Sequence, residues 1–153
     1  MTLESPLLRE VGALGRCLHS LMDVRFSQCH LQRGQFIFLT RICEYPGISQ
    51  AALTALCCVD KGTTSKAVRK LRDARYITCE ADEDDGRAVK LYATSKGKDI
   101  YHDIIDEENR QIRLCLQGFR DEEKELVLSL LHRMNDNVIR EWQDMKGMTK
   151  RNR

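Results

Sequence analysis

The stretch Gly47–Arg87 reads GISQAALTALCCVDKGTTSKAVRKLRDARYITCEADEDDGR, and it decides the fold. Residues 50–57 form a short alanine-rich helix, for which Ser49 is an N-cap residue. Asp60 caps a second helix over about 61–74. Val68 and Leu71 face inward from it, while Lys66, Arg69 and Lys70 face elsewhere. Tyr76-Ile77-Thr78-Cys79 is a β-prone run, and Asp84-Asp85-Gly86-Arg87 is a turn signal. Val89 and Leu91 then alternate with Lys90 and Tyr92 in a returning strand. Short helix, tight turn, basic helix and hairpin follow one another in the order of a winged helix-turn-helix.

The basic helix carries the chemistry. Between Asp60 and Arg72 the cations Lys61, Lys66, Arg69, Lys70 and Arg72 stand against Asp60 alone. Thr63, Thr64 and Ser65 crowd its first turn, and short hydroxyl side chains let a helix end approach base edges while Lys and Arg reach phosphates. A basic helix can also be merely a solvated face; the hydroxyl-rich start and the following hairpin argue for duplex DNA. The whole chain carries only +2, so the cationic character is local and the chain is no polycation.

Working outward, residues 6–28 read as a first helix. Leu7, Val11, Leu14, Leu18 and Leu21 recur at three- and four-residue steps, with Leu8 and Met22 widening the stripe. Residues 32–44 form a second helix, stopped by Tyr45-Pro46-Gly47. Downstream, Thr94 or Ser95 opens a long helix to about Gly118, and Asp121 is a cap for a last helix lined by Leu126, Leu130, Leu131, Met134, Val138 and Trp142. The expected fold is mainly α with a small β-wing: a winged helix-turn-helix flanked by N- and C-terminal dimerisation helices. One domain spans 1–145, with a DNA-binding lobe at 31–95 and dimerisation helices at 1–30 and 96–145. A basic tail without regular structure is expected at 146–153. The terminal helices hold more apolar surface than one small lobe can cover, which predicts a homodimer.

The chain has 153 residues, enough for one domain with a real core. Its seven Cys are Cys17, Cys29, Cys43, Cys57, Cys58, Cys79 and Cys115, an odd and scattered set without a CxxC. That usage predicts reduced thiols and a cytoplasmic protein. No secretory leader is read, and no apolar run of the roughly 18 residues a membrane span needs, so no membrane partner is expected.

In the order and spacing of these motifs the chain resembles the MarR family of bacterial transcriptional regulators over nearly its whole length. The residues that carry the resemblance are Ile48-Ser49-Gln50 with Leu53, Val59-Asp60-Lys61 before Thr63-Thr64-Ser65, Val68-Arg69-Lys70-Leu71, and Tyr76-Ile77. Asp85-Gly86-Arg87 matches the family's Asp-x-Arg wing element, and Thr94-Ser95-Lys96-Gly97 its Thr-x-Lys-Gly entry to the fifth helix. The resemblance implies a homodimer on a pseudo-palindromic operator, with each recognition helix in a major groove and each wing arginine in a minor groove. It implies repression released by a small ligand, aromatic or phenolic, or by thiol oxidation, and no cofactor.

The expected DNA-binding residues are Ser49, Gln50, Lys61, Thr63, Thr64, Ser65, Lys66, Arg69, Lys70, Arg87 and Lys90. Candidate ligand-pocket residues are Arg16, His19 and Arg41. Three departures from the family stand out. Arg75 occupies a position commonly held by Gly, Cys79 one often held by Arg, and Glu80, Asp82, Glu83, Asp84 and Asp85 make the wing unusually acidic.

Other chemistries are weaker. A Cys-based redox regulator would use Cys17, beside Arg16 and His19, since cations lower a thiol pKa. The sensing Cys of some relatives falls near Leu8 and has no counterpart. A metal-responsive regulator would need Cys29 and His30 to converge with His102, Asp103, Asp106 and Glu107; no metal site is expected. Cys29-His30 resembles the Cys-His pair of alkylguanine-DNA alkyltransferases, but Gln28 and Leu31 stand where those have Pro and Arg. No Gly-rich phosphate loop, GxSxG or HExxH occurs, so no enzyme is expected. A winged-helix protein-interaction module without DNA binding is the remaining alternative.

Overall fold

The computed structural model of the chain describes residues 4–29, 31, 34–81 and 89–151, with 146–151 by backbone alone. Helix α1 spans Leu7–Arg25 and leads into a 3₁₀ turn, Ser27–Cys29. Then follow α2 (Gln35–Glu44), β1 (Ile48–Ser49), α3 (Gln50–Leu56), α4 (Lys61–Asp73), β2 (Ile77–Ala81), β3 (Val89–Ala93), α5 (Ser95–Cys115) and α6 (Asp121–Arg151). They divide into two compact units, Met1–Gln111 and Ile112–Arg153. The first holds the helix-turn-helix and the sheet; the second is helical.

Both helices of the helix-turn-helix start on the caps read from the sequence. Ser49 Oγ accepts the Ala52 amide (3.1 Å), and Asp60 Oδ1 accepts the Thr63 amide (2.8 Å). Both also end alike. At the end of α3 the Val59 amide donates to Thr54 O and the Cys58 amide to Ala55 O. At the end of α4 the Tyr76 amide donates to Leu71 O and the Arg75 amide to Arg72 O. This paired closure needs a left-handed residue after the cap, usually Gly. Here Cys58 (φ 51) and Arg75 (φ 62) take that conformation.

The sheet is antiparallel with strand order β1-β3-β2. Ile77 pairs with Ala93 and Ala81 with Val89, so the wing hairpin forms as expected. The sequence showed no sign of β1. Its two residues count as a strand only because Ile48 and Ser49 lie opposite Leu91 and Lys90. The preceding turn brings them there: Pro46 and Gly47 (φ 82) occupy its centre while the Ile48 amide donates to Tyr45 O, and the Gly47 amide donates to Leu91 O.

The core of the first unit gathers Phe36, Leu39 and Ile42 of α2, Leu53 of α3, Val68 and Leu71 of α4, Leu91 of β3 and Ile104 of α5. Met22 and Phe26 enter from the end of α1. The rest of α1 stays open, with Leu8 and Val24 about three-quarters exposed (76% and 74%).

Several element ends differ from expectation. Helix α2 starts at Gln35 and not at 32, after Gly34 in a left-handed conformation (φ 73), and α5 ends at Cys115, short of Gly118. Helix α1 stops at Arg25 because Ser27 Oγ takes the Val24 carbonyl (3.0 Å) and the chain tightens into the 3₁₀ turn. Helix α6 begins at Asp121, so Asp121 lies inside it and pairs with Lys124. The capping contact is made instead by Glu123 Oε2, which accepts the Arg120 amide (2.9 Å). The α6 backbone also runs through the expected tail to Arg151. No proline interrupts it, and extending a formed helix costs far less than starting one.

Candidate nucleic-acid interface

The hydrophobic side of α4 is set by Thr64, Ala67, Val68 and Leu71, all buried, at steps of three, one and three. That periodicity turns Lys61, Thr63, Ser65, Lys66, Arg69 and Lys70 outward, and all of them are exposed. Among the described residues, none of Lys61, Lys66, Arg69 and Lys70 is held in an ion pair. Arg72, next along the helix, lies 3.5 Å from Asp73.

Thr64 is corrected by the structure. It is fully buried, Thr54 Oγ1 donates to its hydroxyl (2.9 Å), and its hydroxyl reaches Asp60 O (3.3 Å). Thr64 therefore locks α3 to α4 and has no face toward a groove. Thr63 remains outward, with its hydroxyl on Asp60 Oδ2 (2.5 Å). That bond, with the Thr63 amide, holds the exposed Asp60 carboxyl below its usual range. A cap that stays ionised favours the positive end of α4 and keeps its first turn closed.

Gln50 and Ser65 meet: Gln50 Nε2 donates to Ser65 Oγ (2.6 Å). The two expected contact residues thus orient each other across the helix-turn-helix. Ser49 has its hydroxyl committed to the cap. Lys90 sits on β3 opposite Ser49 and Glu80. Arg87, with the rest of the wing tip at 82–88, lies outside the described residues.

The three expected ligand-pocket residues do not come together. Arg16 and His19 line an open groove of about 480 Å³ along α1, with Gly12, Gly15, Ser20 and Asp23. The His19 ring packs edge-on against Phe36 (centroids 5.6 Å apart). Arg41 is not part of that groove; it pairs with Glu44 on α2.

The thiols divide by environment. Burial pushes Cys43 up to about 11, and it raises Cys57 and Cys79 against the opposing pull of Arg41 and Arg72 respectively. The thiolate is the reactive form, so these three are poor sensors. Cys17 and Cys58 are exposed, as is Cys79 despite the partial burial that raises it. Among the described residues no three His, Cys, Asp or Glu side chains converge as a metal site requires. His30, part of the cluster considered from the sequence, lies outside them.

The sequence missed Thr54, whose partner Thr64 lies ten residues on, and it placed Tyr76 on the wing without the contact of its hydroxyl to Cys29 O, 47 residues back. Thr54 could have been found only by asking what holds a buried Thr64. The signal for the Tyr76 backbone contact was present in the Thr94-Ser95-Lys96-Gly97 motif, whose Thr94 and Gly97 both lie against Tyr76 O.

A model of the MarR family matches residues 31–88. An uncharacterized HTH-type transcriptional regulator of Bacillus subtilis (strain 168), YybA, is 38% identical over 145 residues, 95% of this chain and 97% of that one. A MarR protein from Peptoclostridium difficile has a similar structure, with a TM-score of 0.92 and 46% identity over 94% of each chain. A MarR family transcriptional regulator from Listeria monocytogenes, solved in complex with a 26-mer DNA, aligns with a TM-score of 0.88 and 31% identity, covering 92% of this chain and 93% of that one.

Proposed function

The chain belongs to the MarR family of transcriptional regulators, and from that premise we propose that it binds a pseudo-palindromic duplex operator as a homodimer and represses transcription in the cytoplasm until a small ligand releases it. The observation that carries the reading is the outward face of α4: exposed Lys61, Lys66, Arg69 and Lys70 beside Thr63 and a Ser65 positioned by Gln50. Hydroxyls of that size fit against base edges, and the cations neutralise phosphates. The Listeria relative crystallised with DNA adds support at 31% identity.

Selection of bound duplexes from a random pool tests it. An inverted repeat with half-sites about 10 bp apart, centre to centre, is the expected product. Replacing Arg69 with Ala is expected to cost on the order of 1–3 kcal/mol and to relax one position of the site if Arg69 reads a guanine. If it meets phosphate only, affinity falls evenly across sequences and the salt slope shrinks. DNA affinity that ignores both salt and sequence would favour a protein-interaction module instead.

The groove on α1 is the proposed place for an effector. Arg16 supplies a cation for a carboxylate and His19 a ring for stacking, so phenolic carboxylates come first in a screen. A ligand releases DNA only by its preference for the DNA-incompetent arrangement, and the loss of affinity equals that preference. Thiol oxidation is the second route, through the exposed Cys17 or Cys58; Cys79, exposed as well, is set aside because partial burial raises it.

A further inference from the structure

We propose that Lys96 is a positioning residue for DNA recognition, latching the C-terminal end of α4 to the first turn of α5 and thereby fixing the angle at which the recognition helix is presented. The inference rests on the operator binding proposed above. It takes up the Thr94-Ser95-Lys96-Gly97 motif, which contacts no expected DNA-binding residue.

Three successive carbonyls at the exit of α4 are received by the entry to α5. Lys96 Nζ donates to Ala74 O (2.9 Å). Thr94 Oγ1 donates to Arg75 O (2.8 Å) and lies 3.1 Å from Tyr76 O, which also accepts the Thr94 amide (3.0 Å). The same Thr94 hydroxyl caps α5 by accepting the Gly97 amide (3.1 Å). Gly97 is required because a Cβ there would stand 2.2 Å from Tyr76 O. The Lys96 ammonium also lies 4.3 Å from the centre of the Tyr76 ring, and that ring's hydroxyl donates to Cys29 O (2.8 Å).

These contacts divide into a seat and a latch. Thr94 and Gly97 seat the first turn of α5 on Arg75 and Tyr76, and two turns on Ile104 is buried in the core that also holds Val68 and Leu71 of α4. Lys96 adds a second point at Ala74, the last cap carbonyl of α4. Ala74 O lies at the negative end of that helix, where a cation is favoured. Lys96 is itself exposed, so it contributes little to burial. Its removal leaves the Thr94 seat and the shared core whole and loosens the corner between them. An inverted repeat demands two recognition helices at one separation, so a loosened corner tolerates spacers of the wrong length more readily.

The test uses the full chain with Lys96→Met and Lys96→Arg, read on the selected operator and on one lengthened at its centre by a base pair. Wild type is expected to reject the longer spacer. Lys96→Met is expected to lose about fivefold of that rejection, what one charge-assisted hydrogen bond and an exposed cation–π contact supply, and Lys96→Arg to restore it. Amide exchange is followed alongside over residues 70–78, without DNA. It is expected to quicken in Lys96→Met and return to normal in Lys96→Arg. Unchanged spacer rejection in Lys96→Met overturns the proposal, and so does a failure of Lys96→Arg to restore it. A wild type that prefers no sequence overturns the functional reading, and the exchange measurement then decides the latch: equal exchange in all three proteins removes it.

Discussion

Arg75 holds a left-handed backbone, φ 62, at the closure of α4, where a side chain is strained. Left-handed geometry costs an L-residue about 1–2 kcal/mol, and Gly returns about 0.5–1 kcal/mol of that through its freer unfolded state. Arg75→Gly is therefore expected to stabilise the chain by about 0.5–1 kcal/mol, read as a higher denaturant midpoint at unchanged slope. A lower midpoint would mean that the Arg75 side chain contributes more than its backbone costs. Glu107 shows the opposite case, a charge that stabilises. It is buried on α5, where it accepts from Arg110 Nε (2.8 Å), Arg110 Nη2 (2.6 Å) and Gln111 Nε2 (2.9 Å). The Arg110 bonds lead in holding its carboxyl down to about 2, with Gln111 and Arg25 adding to the effect against desolvation. The folded value lies below the ordinary unfolded one of about 4.3, so the stabilisation is complete above that pH and is lost as pH falls toward 2. Glu107→Gln is expected to flatten thermal stability over that interval; an acid slope equal to wild type would remove Glu107 as its source. At this scale the sequence was legible where a residue acts through its neighbours. Ser49 and Asp60 cap as read, but Thr64 was placed by its chemistry when its spacing to Ala67, Val68 and Leu71 already pointed inward.

Elements were legible in proportion to how local their determinants are. Helix α4 carries its own cap, its own apolar stripe and its own closure, and it spans Lys61–Asp73 against an expected 61–74. Strand β1 carries none of these. Ile48 and Ser49 are a strand because Leu91 and Lys90 return beside them, and no window around Gly47 contains that fact. The extension of α6 was missed for another reason: basic, polar composition was read as absence of structure, although it breaks no helix. Helix α5 depends on contact from its first turn. Gly97 sits against backbone, not against the end of a flexible side chain, so nothing nearby can yield cheaply. Gly97→Ala is expected to destabilise the first unit by about 1–3 kcal/mol, the usual cost of overpacking, despite alanine's better helix propensity. Equilibrium denaturation followed by circular dichroism checks it. Wild-type stability in that variant would mean α5 can shift off Tyr76 without loss.

Across the whole molecule, the two units share one deficiency. In the first, α1 buries only Met22 along its length and leaves Leu7, Leu8, Val11, Leu14, Leu21 and Val24 exposed. In the second, Leu126, Leu128, Leu130, Leu131 and Val138 of α6 are exposed as well. Apolar surface of that extent is uncommon on a stable monomer. A second copy of the chain is the cover that needs no further gene product, and a two-fold arrangement lets one patch serve both sides. It also gives an inverted-repeat operator its matching symmetry. If the two copies complete each other's cores, folding and association are one process, and thermal stability rises with chain concentration. Replacing Leu130 and Leu131 together with Glu places charges on α6 without touching the helix-turn-helix. The expected product is monomeric or unfolded chain by sedimentation and circular dichroism, with the preference for a full inverted repeat over a half-site lost in the same step. Wild type that sediments as a monomer at micromolar concentration, with a melting temperature independent of concentration, would leave the apolar faces of α1 and α6 to some other partner.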